Sequence, residues 1–170
     1  MNRIYLDNAA TTPMDKAVVS LMTEMMENQF GNPSSIHADG RGVRTKVEEA
    51  RKTVAKLLNT SPSEIFFTSG GTEADNMAIR CTINDLGIKH AITTRIEHHA
   101  VVHTLEELAQ EGLIKLSFVQ LDEKGSVDML HLAKLLAENE RSLVSLMEAN
   151  NEIGNLIDLR AVGELCEKHD

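Results

Sequence analysis

Long apolar runs, clustered basic residues and paired cysteines are all missing from this sequence, and each absence removes a class of function. No stretch approaches the ~20 apolar residues needed to span a bilayer, so no membrane partner is expected. Seventeen Lys and Arg face twenty-six Asp and Glu, for a formal net charge of -9. Without a basic stripe to track phosphates, nucleic acid is not an expected partner. The only cysteines, Cys81 and Cys166, form neither a metal spacing nor a disulfide framework. The opening residues Met1 to Asp7 lack an apolar core, so no secretory signal is expected and a reducing cytoplasm is the simplest home. Low-complexity tracts, internal repeats and linkers are absent too. What remains is ordinary for a folded protein: 42% hydrophobic and 25% charged residues in 170, enough for one domain with a core.

The hydrophobic pattern alternates between two periods. Helical spacing is expected over roughly Met14 to Gln29 and again from Arg41 to Leu58, separated by the irregular Gly31-Asn32-Pro33-Ser34-Ser35. From there, short strand-like runs are expected at Ile65–Thr68, His90–Thr93, Lys115–Val119 and Leu143–Met147. Helical stretches follow or separate them at Thr72–Leu86, His99–Gln110, Asp128–Asn139 and Leu159–Lys168. Strands alternating with helices predict an α/β fold with a largely parallel sheet covered on both faces. Ligands of such sheets bind beyond the carboxyl ends of the strands.

Several segments fall at those ends. Phe67-Thr68-Ser69-Gly70-Gly71-Thr72-Glu73 runs from a strand through two glycines into a helix, gathering free N–H groups and the positive end of the helix dipole. It reads equally as a phosphate site or as a turn using glycine; no Lys follows, so it is not a Walker loop. Glu97-His98-His99-Ala100-Val101-Val102-His103 offers a histidine for stacking or proton transfer. His99 and His103 share a helix face at i, i+4, but no third metal ligand accompanies them, and no metal is expected. Asn150-Asn151-Glu152-Ile153-Gly154 is either an Asn-rich turn or a source of hydrogen bonds to a bound ring or carboxylate.

Taken in order, these segments, with Tyr5-Leu6-Asp7-Asn8-Ala9-Ala10-Thr11-Thr12 and Phe30-Gly31-Asn32-Pro33-Ser34-Ser35-Ile36-His37, resemble the class V aminotransferase family, and within it the cysteine desulfurases of the NifS/IscS type. The resemblance runs from Ile4 to about Cys166. It implies a PLP-dependent transferase of fold type I, with residues 1–13 as an N-terminal arm and 14–170 as an incomplete large domain, a three-layer αβα arrangement. By resemblance, Gly71 and Thr72 hold the phosphate of pyridoxal 5'-phosphate (PLP), His98 stacks on its ring and moves protons, and Asn151 lies beside its 3-hydroxyl. Family members usually carry Ala where Gly71 stands, a change that leaves the backbone donor in place. The loop Asn32 to His37 resembles one near the dimer partner's active site.

The implied activity converts L-cysteine to L-alanine, passing sulfur to an enzyme cysteine as a persulfide and then to an acceptor protein, as in iron–sulfur cluster assembly, in a homodimer. The family's Schiff-base Lys, its pyridinium-pairing Asp and its nucleophilic Cys have no match here, so this polypeptide is expected to be a truncated, inactive portion of its parent. Cys81 and Cys166 fall on expected helices at apolar positions, where a buried thiol is inert. The alternatives are selenocysteine lyase, another aminotransferase activity, or a non-catalytic module that retains the fold for binding or dimerisation.

Overall fold

The computed structural model describes residues 4–169. They divide between Phe67 and Thr68 into two compact units. The first unit holds α1 (Lys16–Asn28), α2 (Ala38–Leu57) and a 3-10 turn, Pro62–Glu64. Asp15 caps α1 through Ala17 N–H, yet α1 buries none of its residues. α2 starts three residues before its expected boundary because His37 serves as its N-cap, Nδ1 accepting from Gly40 N–H at 3.4 Å. The irregular loop before it packs directly on this first turn: a Cβ on Gly40 would lie 2.5 Å from Asn32 O. Beyond the 3-10 turn, the expected strand at Ile65–Thr68 does not form. Ile65 is extended, and the Arg51 guanidinium donates to its carbonyl, but the segment has no ladder partner among the described residues. β-propensity alone does not make a strand.

The second unit contains α3 (Gly71–Asp85), β1 (His90–Thr93), α4 (His99–Gln110), β2 (Lys115–Phe118), α5 (Met129–Ala137), β3 (Ser142–Val144) and α6 (Leu159–His169). Each lies within a few residues of its expected position; β3 is shorter because its ladder to β1 ends early. The three strands are parallel in the order β2-β1-β3. Neighbouring residues of β1 face opposite ways, and each enters a different core. Ala91 packs with Ile79 and Ile83 of α3 and Val101, Leu105 and Leu108 of α4. Ile92 packs with Leu132 and Leu136 of α5 and Val162 of α6. The sheet is therefore covered on both faces, as the alternation of strands and helices predicts.

The connections explain the layering. β1–α4–β2 steps one way across the sheet, and β2–α5–β3 steps back past β1. Crossovers of one hand travelling in opposite directions place their helices on opposite faces, as found for α4 and α5. The reversal opens a crevice beyond the carboxyl ends of β1 and β3, the place where sheets of this kind take ligands.

Candidate functional site

Three chain segments converge on that rim. α3 and α4 run parallel, since Asn76 reaches the first turns of α4 while Arg80 pairs further along with Glu107. The Asn76 side chain donates to Thr72 O at 2.9 Å and Ala100 O at 3.4 Å, and its oxygen accepts from Thr104 Oγ1 at 2.8 Å. This network aligns the amino ends of both helices at the carboxyl edge of the sheet. The third segment follows β3 and is tied to the loop before α4 by Asn150 Nδ2, which donates to Ile96 O at 2.7 Å.

The start of α3 is built to leave its amides open. Gly70 is the extended N-cap and supplies no side-chain cap, so the first-turn N–H groups keep their capacity for an outside acceptor. Cβ atoms added at Gly70 or Gly71 would meet nothing within 4 Å. Glu73 orders the turn from below: its Oε2 accepts from Ser69 N–H and Ser69 Oγ, each at 2.6 Å. The Ser69 hydroxyl, then its N–H, hold the Glu73 carboxyl below the usual range, and neither bond consumes the amides of Gly71 or Thr72. An anionic group fits this end by dipole, donors and space together.

His98 is exposed and caps α4, Nδ1 accepting from Ala100 N–H at 3.1 Å. A ring nitrogen that accepts carries no proton, so in the neutral ring the N–H is on Nε2, the nitrogen turned away from the helix. His99 and His103 lie side by side with ring centroids 4.8 Å apart. No cluster of three His, Cys, Asp or Glu side chains among the described residues is placed to hold a metal.

The two asparagines have separate tasks. Asn150 is buried, and its Oδ1 accepts from Glu152 N–H at 2.9 Å and Ile153 N–H at 3.0 Å, folding the turn. Asn151 is exposed and, among the described residues, its side chain bonds only to the neighbouring Glu152 side chain at 2.9 Å, which leaves it available. Sequence reasoning assigned no role to Glu97 or Asn76, and left Asn150 between an Asn-rich turn and a bond to a bound ring or carboxylate. Glu97 is half-buried, and its Oε1 accepts from Met147 N–H at 2.6 Å and Thr94 Oγ1 at 3.3 Å. Burial pushes its carboxyl above the usual range, against the pull of those two bonds.

The cysteines need one correction. Cys81 is exposed rather than buried, because the inward face of α3 is taken by Ile79 and Ile83. It still lies ten residues along the helix from Gly71, about 15 Å at 1.5 Å per residue. Cys166 packs against the α5–α6 core, and burial pushes its thiol up, away from thiolate chemistry.

A sequence model of the family described as Aminotransferase class-V matches residues 4–170. The chain is 45% identical over 172 residues to putative cysteine desulfurase IscS 1 of Bacillus subtilis (strain 168), covering 99% of this chain and 45% of that protein. Among solved structures, it is similar to a NifS-like protein, with TM-score 0.91 and 38% identity over 99% of this chain and 46% of the other. It is also similar to SspA in complex with cysteine, with TM-score 0.85 and 28% identity over 95% of this chain and 47% of the other. The chain spans less than half the length of the curated relatives it matches. With the family's sequence model matching from Ile4 onward and its fold shared over nearly every residue, the chain belongs to the class-V aminotransferase family.

Proposed function

We propose that these residues form the phosphate- and ring-binding side of a PLP-dependent cysteine desulfurase. The observation that carries the reading is the uncapped amino end of α3 beside His98 and Asn151, in a chain similar to desulfurases over nearly its whole length. Residues 14–170 then belong to the cofactor-binding large domain, with 1–13 as an arm.

The N–H groups of Gly71 and Thr72 and the Thr72 hydroxyl hold the phosphate; the helix dipole favours its charge. His98 would stack on the ring and offer its Nε2 proton, while its Nδ1 stays committed to Ala100. Asn151 donates to an oxygen on the ring or to substrate carboxylate. When bound, PLP supplies an electron sink for the substrate carbon. L-cysteine and an enzyme thiol become L-alanine and an enzyme persulfide. The electrons of the broken carbon–sulfur bond stay with carbon, which is protonated, so no outside oxidant is needed. The persulfide would pass to an acceptor protein, for iron–sulfur cluster assembly or another sulfur pathway, from a cytoplasmic homodimer. No helix among the described residues is long and apolar enough to cross a membrane.

The test is release of alanine from L-cysteine, with L-selenocysteine as the rival substrate. A polypeptide carrying these residues in a chain of the relatives' length is expected to form alanine and persulfide in equal amounts. The 170 residues alone are expected to form neither, since no lysine among them matches the family's covalent anchor and neither cysteine is placed at the rim. Turnover of selenocysteine without cysteine would instead assign a lyase. Alanine release by the 170-residue polypeptide would contradict the division of labour.

A further inference from the structure

The ladder between β1 and β3 ends where Ser145 N–H donates to Ile92 O at 3.0 Å. Two residues further on, a continued ladder would hand Met147 N–H to the backbone of β1. The chains separate here instead, and Glu97 fills the gap, its carboxylate taking that amide at 2.6 Å while also accepting from Thr94. Beneath lies a small cavity of about 30 Å³, room for one or two waters, lined in part by Thr94, Glu97, Met147 and Asn150. An ionisable side chain half-buried in this place costs desolvation free energy, and a charge-assisted bond to an otherwise orphaned amide offsets it.

We propose that Glu97 is a positioning residue that fixes the His98 loop against the Asn151 loop at the point where β1 and β3 part. Glu97 immediately precedes His98, and Met147 lies four residues before Asn151. Its carboxylate and the Asn150–Ile96 bond are the two crossings between these loops, and together they set the distance between the ring-facing histidine and asparagine. Glutamate has the reach for this; aspartate is one methylene short. The inference rests on the cofactor reading for its purpose, though the latch itself stands on geometry alone.

The test uses the isotope-labelled protein, unmodified and as Glu97→Asp, Glu97→Gln and Thr94→Val. Nuclear magnetic resonance reads the Met147 amide, the His98 ring and the Asn151 side chain, and PLP titration gives a Kd. Glu97→Asp is expected to shift the Met147 amide, move the His98 and Asn151 signals, and raise Kd about tenfold, the size of one lost charge-assisted bond. Gly71 and Thr72 amides should stay in place in the free protein. Glu97→Gln, whose amide oxygen still accepts, should restore Kd to within about threefold, and Thr94→Val should change it less than about twofold. Unmoved His98 and Asn151 signals in Glu97→Asp, or a loss in Glu97→Gln as large as in Glu97→Asp, would overturn the proposal. Should Glu97→Asp fail to fold, Glu97→Ala, which also removes the acceptor, takes its place: moved His98 and Asn151 signals support the latch, and unmoved ones overturn it. Failure of the unmodified protein to bind PLP would sink the cofactor reading instead, while the resonance comparison would still judge the latch.

Discussion

Asn150 and Asn151 are identical neighbours, and truncating each to alanine should have opposite consequences. The Asn150 side chain makes three hydrogen bonds, to Ile96 O, Glu152 N–H and Ile153 N–H, at 2.7, 2.9 and 3.0 Å. At about 1 kcal/mol net for each, the sum is about 3 kcal/mol. Glu152 and Ile153 are exposed, so water takes over part of their loss and the expected cost falls to about 2 kcal/mol. For a chain of this size that is a drop of about 4–8 °C in Tm. Asn151 has one exposed contact, so Asn151→Ala should stay within about 0.5 kcal/mol of the unmodified protein. Urea denaturation of both variants gives the stabilities, and PLP titration of the folded proteins gives the affinities. Asn151→Ala is expected to weaken binding without weakening the fold. Equal losses of stability for the two variants would refute this separation of scaffold from site.

The glycines make a second contrast. Gly40→Ala should cost about 1–3 kcal/mol, because its Cβ would strike Asn32 O and the Ser35 side chain, while Gly71→Ala, with open space above it, should be neutral or stabilising in the same urea assay. Thr93 Oγ1 is buried without a hydrogen-bond partner, so the near-isosteric Thr93→Val should raise the urea midpoint; a fall would show that the hydroxyl is satisfied. His90 lies buried between Ser142 Oγ at 2.7 Å and Ser117 Oγ at 2.9 Å. Burial, and then the Lys115 charge, hold its ring below the ordinary histidine range. The unfolded chain therefore binds a proton that the folded chain refuses, and stability falls as pH drops below the unfolded value of about 6.5. Glu97, raised in the fold, acts with the opposite sign at lower pH, so the His90 effect is read as the difference in pH slope between unmodified protein and His90→Gln. An identical slope in the two would contradict it.

Much of this architecture was legible because it depends on local pattern. The helix His99–Gln110 and strand His90–Thr93 fall at their expected limits, since helical periodicity and a short strand-like run mark them without outside help. Ile65–Thr68 misled for the complementary reason: its apolar, β-prone residues carry no information on whether a partner strand is beside them. Cys81 was misplaced because, two residues from both Ile79 and Ile83, it lies at about 100° per residue on the side of α3 opposite the inward face they form. At the candidate site, the open start of α3 shows in the order of glycines before a helix. Glu97 leaves no such mark, because its partner is a backbone amide fifty residues away. The only signal was a carboxylate set directly before the histidine.

The claim on which the account turns is that the open end of α3 receives the phosphate while His98 and Asn151 face the ring. It is tested most directly by titrating the isotope-labelled protein with pyridoxamine 5'-phosphate, which cannot form the covalent link, beside inorganic phosphate. Pyridoxamine phosphate is expected to shift the Gly71 and Thr72 amides, the His98 ring and the Asn151 side chain together along one saturation curve. Inorganic phosphate is expected to shift Gly71 and Thr72 alone. Saturable binding that leaves Gly71 and Thr72 unmoved, or that never reaches His98 and Asn151, would contradict it.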